Sequence, residues 1–190
     1  MTTTPYDDDD ALLALGVVIE EERGSLPFAL LHGEALVSCA AWALGDSGVT
    51  PVDLGTEWAG LVDGGEPFVV HDSLCPMTPA SFIASCLVRS VETGAVVVAV
   101  RPVTDTVKSV ADGFVGETVD REGLWSVCSP IVLPAAVVAA LDRLPSLDFV
   151  ELARALGERF PVEYVEAPAE ARRVGDLDDV ALLAALTAPA

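Results

Sequence analysis

At 190 residues the chain is long enough to bury one core without disulfide or metal staples, and at 52% hydrophobic and 21% charged it is too apolar to stay disordered. Its formal net charge of −20, from 30 acidic against 10 basic side chains, excludes nucleic acid and anionic lipid as partners, because phosphate contacts need clustered Lys and Arg. Cys39, Cys75, Cys86 and Cys128 form no CxxC pair and no zinc-ligand spacing, and no stretch reaches the roughly 18 apolar residues of a membrane span, which predicts a cytoplasmic chain with no membrane contact.

Residues 1–10, ending in four aspartates, read as a flexible acidic tail without the basic and apolar regions of a leader, and residues 11–190 read as a single domain. The apolar run Ala11 to Ile19 predicts a buried strand, followed by a loop from Glu20 to Gly24. From Glu34 to Leu44 the positions Leu36, Val37, Ala40, Ala41 and Leu44 recur at helical spacing, with Gly45 placed to cap the helix. Gly48 to Gly65 is turn-rich, with a short strand or a helical turn at Trp58 to Val62.

Pro67 to Val70 predicts a strand ending at His71-Asp72, and Pro79 to Thr93 a helix with Phe82, Ile83, Cys86 and Leu87 on one face. The β-branched run Ala95 to Val100 is of the kind that fills buried parallel strands, and Arg101-Pro102 ends it. Asp112-Gly113 between two alternating segments predicts a hairpin arm over 108–121. A strand at Leu124 to Val127, helices at Pro134 to Leu141 and Phe149 to Leu156, a strand at Val162 to Val165 and a helix at Leu177 to Leu186 behind Asp176 complete the chain. Alternating strands and helices predict an α/β three-layer sandwich on a mostly parallel, Rossmann-like sheet, with the arm projecting from it.

Three segments in this order carry a resemblance: Val70-His71-Asp72-Ser73-Leu74-Cys75-Pro76, then Pro102-Val103-Thr104-Asp105-Thr106-Val107-Lys108, then Thr118-Val119-Asp120-Arg121-Glu122-Gly123-Leu124-Trp125. Together they are similar to the 2-C-methyl-D-erythritol 4-phosphate cytidylyltransferase family, enzymes that join a polyol phosphate to CTP for isoprenoid synthesis. Arg173-Val174 leading into Asp178-Asp179-Val180-Ala181-Leu182 resembles a further family segment, with Arg173 at a lysine position. A weaker similarity runs through Leu26-Pro27-Phe28 and Leu31 to Leu36.

The resemblance implies a nucleotidyltransferase fold and a homodimer formed through the arm. It assigns Asp72 to the sugar alcohol and to a magnesium ion if the chain is active, and Arg173, the second catalytic candidate, to the acceptor phosphate. Thr106 and Arg121 are assigned to the acceptor phosphate across the dimer. Asp72 also stands at a strand's carboxyl end, where α/β sheets bind ligands, although an Asp in a loop equally caps its own turn.

Against that, nucleotidyl transfer needs cations and backbone donors around the phosphates. Where the family has a Gly-rich loop leading to a lysine, this chain has Glu20-Glu21-Glu22-Arg23-Gly24-Ser25-Leu26-Pro27, with Phe28 at the lysine position. Arg23 is the remaining cation for a nucleotide. Cys75 replaces an arginine on the acceptor side, and the stretch from Gly48 to Glu66 is shorter than the family's base-contacting segment. The sequence therefore predicts a diverged cytidylyltransferase with weakened or absent CTP use, or a non-catalytic regulatory or scaffold partner of an active paralogue.

Overall fold

The computed structural model describes residues 12–103, the backbone of 107–111 and 114–119, and residues 123–188. The acidic tail 1–10 lies outside them. Strand β1 (Leu15–Ile19) is shorter than the apolar run containing it, because Leu12 and Leu13 are exposed at its start. Beyond the Glu-rich loop, β2 (Leu30–Leu31) and β3 (Glu34–Ala35) form a small hairpin around His32 and Gly33, which have φ of 53° and 92°.

Helix α1 (Leu36–Asp46) therefore begins two residues later than its periodicity predicts, and Gly45 lies inside it rather than capping it. The left-handed residue after this helix is Gly48, at φ 86°. Strand β4 (Thr50–Pro51) follows, and the strand-or-helix alternative at Trp58 resolves as α2 (Trp58–Gly64), closed by Gly65 at φ 70°. Next come β5 (Phe68–Asp72), α3 (Ala80–Thr93) and β6 (Val96–Pro102). Strands β7 (Val107–Ala111) and β8 (Phe114–Val119) pair antiparallel as a separate two-stranded sheet, as the hairpin signal predicts.

Strand β9 (Trp125–Leu133) runs well past the segment predicted at Leu124 to Val127. Pro130 hides this from the sequence, since a residue without an N–H argues against a central strand. The sheet accommodates it in an irregular stretch, between the Val98–Ile131 and Val100–Val127 pairs. The chain ends with α4 (Ala135–Ala139), α5 (Phe149–Gly157), β10 (Val162–Glu166) and α6 (Leu177–Leu186). Asp148 and Asp176 cap α5 and α6, each carboxylate accepting a backbone N–H at 2.9 Å.

The main sheet has the order β10-β6-β9-β5-β1-β4, with β9 antiparallel to both neighbours and every other pair parallel. Alternation divides its residues between two cores. Val17, Val70, Val98 and Ile131 pack with α2, α4 and α5, whereas Val69, Val97 and Val132 pack with α1 and α3. Phe149, Leu152 and Leu156 of α5 are buried against the first face, each stabilising by about 1.5–3 kcal/mol. The three layers leave the carboxyl ends of β1, β5 and β6 at one edge, where the candidate site lies.

Candidate functional site

Asp72 ends β5 with its side chain 1% exposed, and guanidiniums hold both of its carboxylate oxygens. Arg23 Nε donates to Oδ1 at 3.2 Å and Arg173 Nε donates to Oδ2 at 2.9 Å. The backbone N–H of Leu74 adds a third donor to Oδ1 at 3.1 Å. A buried carboxylate is tolerated only with this kind of pairing and hydrogen bonding. Segments separated by 49 and 101 residues are thereby tied at one point.

Arg23 leaves the Glu-rich loop and turns inward. Its side chain is 5% exposed, Nη2 donates to Leu147 O at 2.7 Å, Nη1 donates to Glu21 O at 3.2 Å, and the guanidinium sits 5.9 Å from the Phe149 ring centroid. All three nitrogens are therefore bound to the protein, and contact with a triphosphate would require breaking these bonds. Glu20, Glu21, Glu22 and Phe28 are exposed around it. Glu22 has φ of 61° and Gly24 has φ of 61°, so the loop keeps a left-handed backbone that glycine adopts most easily.

On its other side Arg173, 35% exposed, faces a cavity of about 620 Å³ at the ends of β6 and β9. Arg101 and Arg172 join it in the lining. Arg101 closes the buried run of β6 and donates from Nη1 to Ala167 O at 2.8 Å, while Arg172 pairs with Asp179 at 3.3 Å. Burial raises the pKa of the Cys128 thiol between them, while the charges of Arg101 and Arg173 and a backbone hydrogen bond from Arg173 work the other way. Neither Arg101 nor Arg172 is marked by a motif in the sequence. The available signals are an arginine ending an apolar strand and a basic pair in a strongly acidic chain.

Behind Asp72 the side chains are closed off from solvent. Ser129 Oγ accepts the Asp72 backbone N–H at 2.9 Å and bonds His71 Nδ1, and His71 is fully buried. Burial drives the His71 pKa down to about 4, with the charge of Asp72 opposing it, so the imidazole is neutral. Cys75 is fully buried among Ala99, Cys128 and Ala171, and burial, then the charge of Asp72, raise its thiol pKa well above the ordinary value. It is not a thiolate nucleophile. His32 is exposed and bonds Thr187 Oγ1 at 2.8 Å.

The structure thus brings Asp72, Arg173 and Arg23 together. Thr106 and Arg121 lie outside the described residues. The fit of a divalent ion at Asp72 is poor, because both oxygens already accept from guanidiniums and no three metal-ligating side chains gather among the described residues. A hard cation needs several oxygen ligands, and two arginines on its carboxylate would repel it.

A family model described as 2-C-methyl-D-erythritol 4-phosphate cytidylyltransferase matches residues 31–185. The protein of that name from Frankia casuarinae is 36% identical over 126 residues, covering 63% of this chain and 46% of the relative. The Deinococcus radiodurans protein is 33% identical over 125 residues, covering 63% and 53%, and the Bacillus licheniformis protein is 39% identical over 75 residues, covering 38% and 32%. The matched stretches span about a third to a half of the length of these relatives. The crystal structure of the Thermus thermophilus protein of the same description superimposes with a TM-score of 0.65 at 21% identity, over 90% of this chain and 96% of that one, a likeness of fold. No helix among the described residues is long and apolar enough to cross a membrane.

Proposed function

The chain belongs to the 2-C-methyl-D-erythritol 4-phosphate cytidylyltransferase family, and we propose that this member binds a phosphorylated acceptor while using CTP weakly or not at all. The observation that carries the reading is the inward course of Arg23. The cation that the loop could offer to a triphosphate is bound to Asp72 and Leu147 O, and Glu20, Glu21 and Glu22 remain outside. Each close carboxylate–phosphate pair would repel by about 1 kcal/mol in water and by more in a drier site.

On the acceptor side the cations remain. Arg173 is held by Asp72 through Nε and lines the cavity, and Arg101 and Arg172 stand with it. In this reading Asp72 is a positioning residue, and the arginines bind the phosphate by charge-assisted hydrogen bonds. Thr106 and Arg121 would complete the clamp from the arm of a partner copy.

Titration calorimetry with CTP and magnesium tests the proposal, with no binding heat below millimolar CTP expected. Micromolar binding, or pyrophosphate release from CTP and the polyol phosphate, would overturn it. A second reading is supported by the hairpin of β7 and β8, which pairs only with itself among the described residues. It would reach a paralogue of the same fold and make this chain a scaffold for an active partner. Co-purification with such a paralogue is the expected outcome, and a self-sufficient monomer would end that reading.

A further inference from the structure

The cavity that holds the three arginines carries two kinds of chemistry. Among the described lining residues Arg101, Arg172 and Arg173 stand against the one carboxylate of Asp179, so this lining is positive in a chain whose net charge is −20. Asp179 is already engaged, Oδ1 with Arg172 at 3.3 Å and Oδ2 accepting the Gly175 N–H at 2.8 Å.

Apolar side chains join them. Leu182 and Leu186, one turn apart on α6, are 53% and 51% exposed and line the cavity with Pro102 and Val103. Among the described lining residues the one uncharged hydroxyl is that of Ser126. Asp72, which would be the natural acceptor for sugar hydroxyls, is 1% exposed and has both oxygens bound to guanidiniums. Methylenes brought against the two leucines leave water and gain affinity.

We propose that this cavity selects a phosphate monoester with an apolar body, its phosphate held by Arg101, Arg172 and Arg173 and its hydrocarbon laid against Leu182 and Leu186. The volume of about 620 Å³ is of the size that small-molecule sites use. Guanidinium groups suit phosphate because their planar fork donates two parallel bonds. Ala167 O holds Arg101 through Nη1 and Asp72 holds Arg173 through Nε, which fixes both guanidiniums at the cavity. The inference rests on the acceptor-binding reading of the same site and narrows its ligand class.

The test is titration calorimetry on the whole chain with inorganic phosphate, n-butyl phosphate and D-erythritol 4-phosphate, the two esters matched in carbon number. Each buried methylene adds about fourfold to affinity, so butyl phosphate is expected to bind at least about tenfold more tightly than either of the others. Leu182→Asn with Leu186→Asn, at exposed positions, should erase that preference and leave inorganic phosphate binding unchanged. Arg101→Gln should weaken all three ligands by about tenfold or more, with Arg101→Lys restoring part of the loss. Erythritol phosphate binding as tightly as butyl phosphate, with CTP silent, overturns this inference alone. No binding of any phosphate overturns it together with the acceptor half of the functional reading. Micromolar CTP binding beside an intact butyl preference removes the functional reading and leaves this one standing.

Discussion

Arg23 Nε donates to Asp72 Oδ1 at 3.2 Å between side chains that are 5% and 1% exposed, so the Glu-rich loop is fastened to the end of β5 by a buried ion pair. Removing one partner of such a pair leaves an uncompensated buried charge and costs about 3–5 kcal/mol. Arg23→Met should fall at the lower end, because Arg173 still neutralises Asp72. Asp72→Asn should cost more, since it leaves two guanidiniums facing each other. Replacing both members, Arg23→Met with Asp72→Asn, should recover part of that loss. Urea unfolding of the four proteins measures the order, and additive single-site costs would show that the pair is not coupled.

His71 gives the fold a pH dependence. Its folded pKa of about 4 lies below the ordinary value near 6.5, so the unfolded chain takes up the proton first as pH falls. The stability from the neutral imidazole is complete above pH 6.5 and is lost between there and about pH 4, a total of roughly 3 kcal/mol. Carboxylates also titrate at the lower end. The part due to His71 is therefore the slope between pH 6.5 and 5 that His71→Gln removes. The His71 ring resonances should titrate near pH 4 in the folded protein, and an ordinary pKa near 6.5 would contradict the buried position.

The fold was readable because period-two and period-3.6 patterns separate cleanly along most of the chain. Phe82, Ile83, Cys86 and Leu87 do form the inward face of α3. The errors lie where one residue overrides its pattern. Pro130 masks the length of β9, and Gly45 imitates a cap that the backbone places at Gly48. The motifs at Asp72 and Arg173 mark residues that the structure brings together, but the direction of Arg23 was not legible. A guanidinium on a charged loop reads as solvent-facing, and only the tertiary placement of Asp72, Leu147 and Phe149 draws it inside. Arg101 was hidden for the opposite reason, since a residue near a strand's end carries no sign of the distant segment it will meet, here Ala167 O.

Two glycines should respond to alanine with opposite signs. A Cβ on Gly16 of β1 would stand 2.6 Å from Val49 Cγ1 and 3.0 Å from Val69 O, and the second neighbour is backbone that cannot rotate away. Gly16→Ala is expected to cost about 1–3 kcal/mol by overpacking, and Val49→Ala beside it should relieve only part of that. Gly45 is exposed within α1 and a Cβ there meets nothing within 4 Å. Gly45→Ala should raise stability by about 0.5–1 kcal/mol through helix propensity. Thermal unfolding of both variants separates a packing requirement from mere chain freedom.

Glu22 holds a left-handed backbone at φ 61°, preceded in the same turn by Glu20 and Glu21. The conformation strains an L side chain by about 1–2 kcal/mol, while glycine adopts it without a Cβ clash. Glu22→Gly also removes one of three neighbouring carboxylates. It lets the unfolded chain gain entropy, which offsets part of the benefit. The net expectation is a gain of about 0.5–1 kcal/mol, read from the urea midpoint. Glu20→Gly, where φ is not positive, should give no gain and supplies the control. Neither change frees Arg23 from Asp72, so CTP binding should stay absent in both. Micromolar CTP binding by Glu22→Gly would show that loop charge, and not the inward Arg23, is what keeps the nucleotide out.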